Sequence, residues 1–159
     1  MSDIVVPLAD LRRAYEALKP EIDDRIWEVT SSGNYILGEN ITAFEQAAAE
    51  HLGVKHTIAV ASGTDALHLA IVAARIGQGH EVITTPFTFA ATLEAIEYVG
   101  ARPVLVDIDP DTFNIDANLI EDAITPQTRA ILPVHLFGLP ANMEQIMNIA
   151  ERRGLLVIE

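Results

Sequence analysis

Cysteine is absent from the 159-residue chain, so disulfides and thiol chemistry are excluded. Positive charge is scarce: 10 Lys and Arg stand against 23 Asp and Glu, a net charge of −13. That balance argues against nucleic acid and anionic membranes as partners, although an acidic surface alone names no substrate. Lysine occurs only at Lys19 and Lys55. No apolar run reaches the ~20 residues of a membrane span. Met1 to Asp10 holds an acid and no basic stretch, so no signal peptide is read there and a cytoplasmic protein is expected. His51, His56, His68, His80 and His135 fall at no metal-ligand spacing. No metal site is expected, and each histidine is read as a surface or capping residue. What is abundant is apolar surface: 50% of residues are hydrophobic, enough for a domain with a real core.

The organising stretch is Val60-Ala61-Ser62-Gly63-Thr64-Asp65-Ala66-Leu67. The β-branched run Thr57 to Ala61 predicts a buried strand, and Leu67, Ile71 and Ala74 predict a helix after it. Between them Gly63 permits close approach of a ligand to the backbone, and Ser62 or Thr64 can cap the helix. Free N–H groups of Gly63, Thr64 and Asp65 would then form an anion site suited to phosphate. A capped turn that binds nothing is the alternative reading of the same residues.

Before that stretch, Val5-Pro7-Leu8 reads as extended. Asp10 can cap a helix running to about Thr30, with Pro20 either breaking or kinking it. Tyr35-Ile36-Leu37-Gly38 places apolar residues in a loop, read as local packing, a subunit contact or a wall of a site. Ile41, Phe44, Ala48 and Leu52 predict a helix ending at Gly53. After it strands and helices alternate. Strands are expected over 81–84, 103–107, 130–135 and 155–158, with helices over 64–76, 89–99, 118–124 and 143–153. Asn142 and Gly154 cap the last helix. Short apolar strands joined by helices predict an α/β fold: a doubly wound, mostly parallel sheet covered on both faces. Ligands of such sheets sit beyond the carboxyl ends of the strands. Those ends are Ser62-Gly63-Thr64, Thr85 to Phe89, Asp107, His135 and Glu159. An aromatic at a strand end can stack on a flat ligand, which makes Phe87 and Phe89 candidates; Phe87 is read as a core residue. The chain ends in a strand at Ile158-Glu159, so an N-terminal part of a larger domain is expected over 1–159, with no second domain.

Several motifs, in order along nearly the whole chain, resemble the DegT/StrS family of sugar aminotransferases. They are Gly33-Asn34-Tyr35-Ile36-Leu37-Gly38, Phe44-Glu45, His51 to His56, Ala61 to Leu67, Pro86-Phe87-Thr88-Phe89-Ala90-Ala91-Thr92, Val106-Asp107-Ile108-Asp109, Pro133-Val134-His135-Leu136-Phe137-Gly138 and Val157-Ile158-Glu159. The resemblance implies the large domain of the aspartate aminotransferase fold, truncated at its C-terminal side, and pyridoxal 5′-phosphate (PLP) as cofactor. By position, Gly63, Thr64 and Asp65 match the turn that holds the cofactor phosphate, and Phe89 matches the aromatic that stacks on the pyridine ring. Glu159 matches the residue before the aspartate that pairs with the pyridine nitrogen. The family's covalent lysine lies beyond Glu159, so no catalytic residue is assigned in this chain. Lys19, Lys55 and His80, the last where the family usually has an acid, match no functional position.

The implied reaction of the complete protein transfers an amino group, from a donor such as glutamate, to a keto group of a nucleotide-linked sugar. A homodimer is the implied assembly, and the isolated chain is expected to be inactive. Two alternatives stay open: a sugar dehydratase of the same family, and a non-catalytic module that binds a phosphorylated ligand or a partner subunit. A nicotinamide-binding domain is disfavoured, because the first turn is Ser-Gly-Thr and carries no G-x-G-x-x-G run.

Overall fold

The computed structural model describes Pro7 and residues 9–159; the extended reading of Val5 and Leu8 lies outside the described residues. Two compact units divide between Ala59 and Val60.

The first unit is helical. Helix α1 (Leu11–Ser32) starts at Asp10, whose carboxylate accepts the Arg13 N–H at 3.0 Å, and stops at a left-handed Gly33. It runs through Pro20 as one helix. Proline removes an N–H from the ladder, but this stretch is exposed and water can satisfy the orphaned carbonyl. Helix α2 (Glu39–Leu52) ends at the left-handed Gly53, as its sequence predicts. Neither helix buries a residue. Trp27 of α1, Phe44 of α2, and Ile36 and Leu37 of the loop between them are exposed, so the two aliphatic loop residues are not packed locally, whereas the Tyr35 hydroxyl donates to the Thr30 carbonyl at 3.2 Å.

The strand expected over Thr57 to Ala61 does not form, and Ile58 is 81% exposed. β-branched residues favour extended backbone, but a strand exists only where a neighbour satisfies its N–H and C=O groups. The segment pairs with none of the described strands. Its polar groups turn to α2 instead: the Ala59 N–H donates to the Glu45 carboxylate at 2.8 Å, and the Thr57 hydroxyl donates to the Glu45 carbonyl.

The second unit carries the sheet. Its elements run α3 (Gly63–Ala73), β1 (Glu81–Thr84), α4 (Ala91–Tyr98), β2 (Arg102–Leu105), α5 (Ile120–Ala123), β3 (Thr128–Ile131), α6 (Met143–Arg153) and β4 (Leu156–Val157). The strand order is β2-β1-β3-β4, and every pairing is parallel. Alternate side chains of a strand leave opposite faces, and here they feed separate cores. Ile83 and Ile131 pack with Ile120 of α5 and with Ile146 and Ile149 of α6. Val82 and Ala130 pack with Ile71 of α3 and with Ala95 and Ile96 of α4. Helices therefore cover both faces, as the alternation of strands and helices predicts.

Boundaries shift where the apolar run and the hydrogen-bond ladder part company. β3 begins at Thr128 and stops at Ile131, although Leu132 and Pro133 are also buried. The Leu132 N–H still reaches the Ile83 carbonyl at 2.7 Å; Pro133 then has no N–H to continue the ladder. At the amino edge of the sheet Glu81 is buried. Its carboxyl is held below the usual range chiefly by the Thr125 hydroxyl at 2.6 Å, with further help from Arg102 and against the cost of burial. Among the described residues no helix is long and apolar enough to cross a membrane.

Candidate functional site

The turn into α3 is built as its residues dictate. Ser62 is extended (φ −158°, ψ 165°) and caps the helix. Its Oγ accepts the Asp65 N–H at 3.1 Å, and the same hydroxyl lies 3.0 Å from the Asp65 carboxylate. The expectation of three free amides is corrected here, because the Asp65 N–H is consumed by the cap. Gly63 and Thr64 are the first two helical residues, and among the described residues their N–H groups meet no acceptor. They are the orphan donors that every helix start leaves, and the positive end of the α3 dipole reinforces them.

These donors open onto a cavity of about 730 Å³ lined by Gly63, Thr64, Leu67, Phe89, Val134 and Glu159, among others. Three of the strand-end positions singled out from sequence therefore meet: the Gly63-Thr64 turn, Phe89 after β1, and Glu159 after β4. Phe89 is 75% exposed, so its ring is available as a flat apolar wall. Leu67, Val134 and Ile158 line the cavity and pack against the core on the α3 and α4 side of the sheet. Thr88 and Thr92 also line it and bond each other, hydroxyl to hydroxyl, at 2.8 Å.

Other candidates fall elsewhere. Asp107 does not line this cavity; its carboxylate accepts the Ile108 N–H at 2.8 Å. Phe87 is no core residue. It is part-exposed and packs with Phe113 at 5.8 Å and with Phe137 at 6.5 Å between ring centroids. Two positions before Phe89 in the chain, it takes a different environment: Phe87 joins other aromatic rings and Phe89 lines the cavity.

His135 was expected at the surface or in a cap, and it does more. Its Nδ1 accepts the Ala141 N–H at 3.0 Å, and its Nε2 lies 2.7 Å from the Glu159 carboxylate. Spacing could not reveal this pair, since its members follow different strands. The signal present in the sequence was that both residues stand just past a strand's carboxyl end. Of the two lysines, Lys19 is engaged on α1, bonding the Tyr15 hydroxyl at 2.9 Å and the Asp23 carboxylate.

Against known proteins, residues 16–159 match the DegT/DnrJ/EryC1/StrS aminotransferase family. A pleiotropic regulatory protein of Geobacillus stearothermophilus is 51% identical over 97% of the chain, which covers 41% of that protein. A UDP-N-acetyl-3-dehydro-alpha-D-glucosamine 3-aminotransferase of Acidithiobacillus ferrooxidans is 49% identical over 97% of the chain, covering 42% of it. Among solved structures, NtdA from Bacillus subtilis with bound cofactor PMP superposes at a TM-score of 0.93 and 37% identity, over 99% of this chain and 37% of that one. The chain thus spans about two fifths of the length of the curated relatives it matches.

Proposed function

The chain belongs to the DegT/DnrJ/EryC1/StrS aminotransferase family, and from that premise we propose that its cavity is the phosphate and ring site for PLP in a sugar aminotransferase. The complete protein would pass an amino group from an amino-acid donor, such as glutamate, to a keto group of a nucleotide-linked sugar. One observation carries the reading: unpaired amides at a helix start and an exposed aromatic share one cavity.

The residues fit the group in size and chemistry. The Gly63 and Thr64 N–H groups, with the Thr64 hydroxyl, would take the phosphate. Asp65 contributes through the cap it forms with Ser62, which fixes the direction of those amides. The Phe89 ring would cover one face of the pyridine, a contact worth about 0.5–1.5 kcal/mol beyond burial. Leu67, Val134 and Ile158 would exclude water. PLP supplies an electron sink for the carbon that carries the amine. Lys19 is tied to Asp23 and Tyr15 on α1, and we assign no covalent lysine among these residues.

The exposed apolar side chains Trp27, Ile36, Leu37 and Phe44 support self-association, and a homodimer is the assembly we favour. Polar, nucleotide-linked substrates suit a cytoplasmic protein. The test is to titrate the complete polypeptide with PLP, compete with inorganic phosphate, then supply glutamate and a nucleotide-linked keto-sugar. Saturable binding, phosphate competition and an amino-sugar product are expected. A dehydrated sugar without amine transfer would move the assignment to the dehydratase, and absence of PLP binding would refute the site.

A further inference from the structure

The hydrogen-bond ladder between β3 and β4 is short. Ala130 pairs with Leu156 and Ile131 with Val157, and the last backbone bond runs from the Ile158 N–H to the Ile131 carbonyl at 3.0 Å. Beyond it both chains continue into the cavity lining: Val134 and Leu136 on one side, Ile158 and Glu159 on the other. A wall made of two chains past the end of their ladder needs another tie to hold its spacing.

His135 supplies one through its imidazole. Its carbonyl accepts the Gly138 N–H at 3.0 Å. Its Nδ1 accepts the N–H of the buried Ala141 at 3.0 Å. A backbone N–H can only donate, so Nδ1 presents a lone pair and the ring proton sits on Nε2. That proton points to the Glu159 carboxylate, 2.7 Å away. One imidazole therefore joins the end of β3, the return of the 136–141 loop and the end of β4. The loop it secures carries Leu136 into the cavity and turns through a left-handed Phe137 (φ 59°).

We propose that His135 is a positioning residue: in its Nε2–H tautomer it holds the Glu159 carboxylate, and so fixes the cavity wall that faces the cofactor ring. This rests on the PLP reading of the cavity for its ligand. The phosphate is assigned to different residues, the Gly63 and Thr64 amides, so the clamp should act on the ring and leave the phosphate contacts alone.

Two measurements on the complete polypeptide test it. Nitrogen-15 spectra of the His135 imidazole should show a proton on Nε2 and an acceptor at Nδ1, with the Nε2 resonance moving in E159A. In binding titrations, H135L should lower PLP affinity about tenfold, the scale of one lost charge-assisted hydrogen bond, with affinity for inorganic phosphate unchanged. H135Q, whose amide replaces the Nε2–H donor, should recover most of that loss. A proton on Nδ1, an Nε2 resonance indifferent to E159A, an undiminished PLP affinity in H135L, or equal losses for PLP and phosphate would each overturn the proposal. A wild type that binds no PLP would instead overturn the cofactor reading. The imidazole spectrum, which needs no ligand, tells that failure from failure of the clamp itself.

Discussion

Gly63 offers a way to separate holding a phosphate from holding a helix. It occupies the first helical position of α3 after an extended Ser62. Proline is favoured there, since its ring presets a helical φ and the N–H it lacks has no helical partner anyway. Ser62 already has the backbone that a residue before proline adopts, and a Cβ built on Gly63 meets nothing within 4 Å. Gly63→Pro should therefore fold, with stability equal to or greater than the wild type by roughly 0.4–1 kcal/mol. It nevertheless deletes one of the two amides assigned to the phosphate. A hydrogen bond to a charged group contributes about 1.5–3 kcal/mol, so affinity for PLP should fall about 10- to 150-fold. Ser62→Ala does the reverse. Loss of the cap costs about 1 kcal/mol of stability, yet both amides remain, so affinity should fall far less than in Gly63→Pro. Gly63→Ala is the steric control: it keeps the N–H and should bind like the wild type. Thermal melts by circular dichroism and titration calorimetry read the two properties separately. A folded Gly63→Pro with wild-type affinity would refute the amide site. A Gly63→Ala as weak as Gly63→Pro would show that space at the turn, and not the donor, decides.

Phe89→Ala should weaken PLP retention several-fold, by about 0.5–1.5 kcal/mol. The thermal midpoint should scarcely change, because the ring is mostly exposed; fluorescence titration beside a melt checks both. At the far edge of the sheet, the lowered carboxyl of Glu81 stabilises the fold above the ordinary unfolded value of about 4.3, and this contribution is lost as pH falls through the folded value. Glu81→Gln should flatten the acid limb of stability measured by urea unfolding. Thr125→Val, which strips a buried carboxylate of a donor at about 1–3 kcal/mol, should cost more than Arg102→Ala, whose side chain is largely solvent-exposed and contributes about 0–1 kcal/mol; the opposite order would refute that ranking. Ile146→Ala empties a fully buried position and should cost about 2–5 kcal/mol in the same assay.

Local chemistry made part of this legible from sequence. Asn142 caps α6 with its side chain, Gly154 ends it with a left-handed backbone, and Ser62 caps α3 through its own hydroxyl. The parallel sheet follows from short apolar strands separated by helices. What sequence could not show depends on partners. Thr57 to Ala61 has the composition of a strand and no neighbour to pair with. Phe87 and Phe89 are alike in sequence context, yet one joins an aromatic cluster and the other lines the cavity. The Asp65 amide was expected free because the sequence names a cap but not the N–H it takes, which the Ser62 rotamer decides. His135 met Glu159 because β4 returns beside β3, a fact of topology and not of spacing.

The sheet also acts as a partition. Its two faces feed cores that share no buried side chain, and three residues of the cavity wall, Leu67, Val134 and Ile158, lean on only one of them. Repacking around Ile120, Ile146 and Ile149 then reaches the cavity only indirectly, across the strands or through the single Ala141–His135 bond, so volume and shape there can drift with little effect on the cavity. Change around Ile71, Ala95 and Ile96 has no such shelter, since any displacement reaches the cavity wall through its direct neighbours. A substitution that alters stability and one that alters the cavity can thus be placed on opposite sides of one sheet.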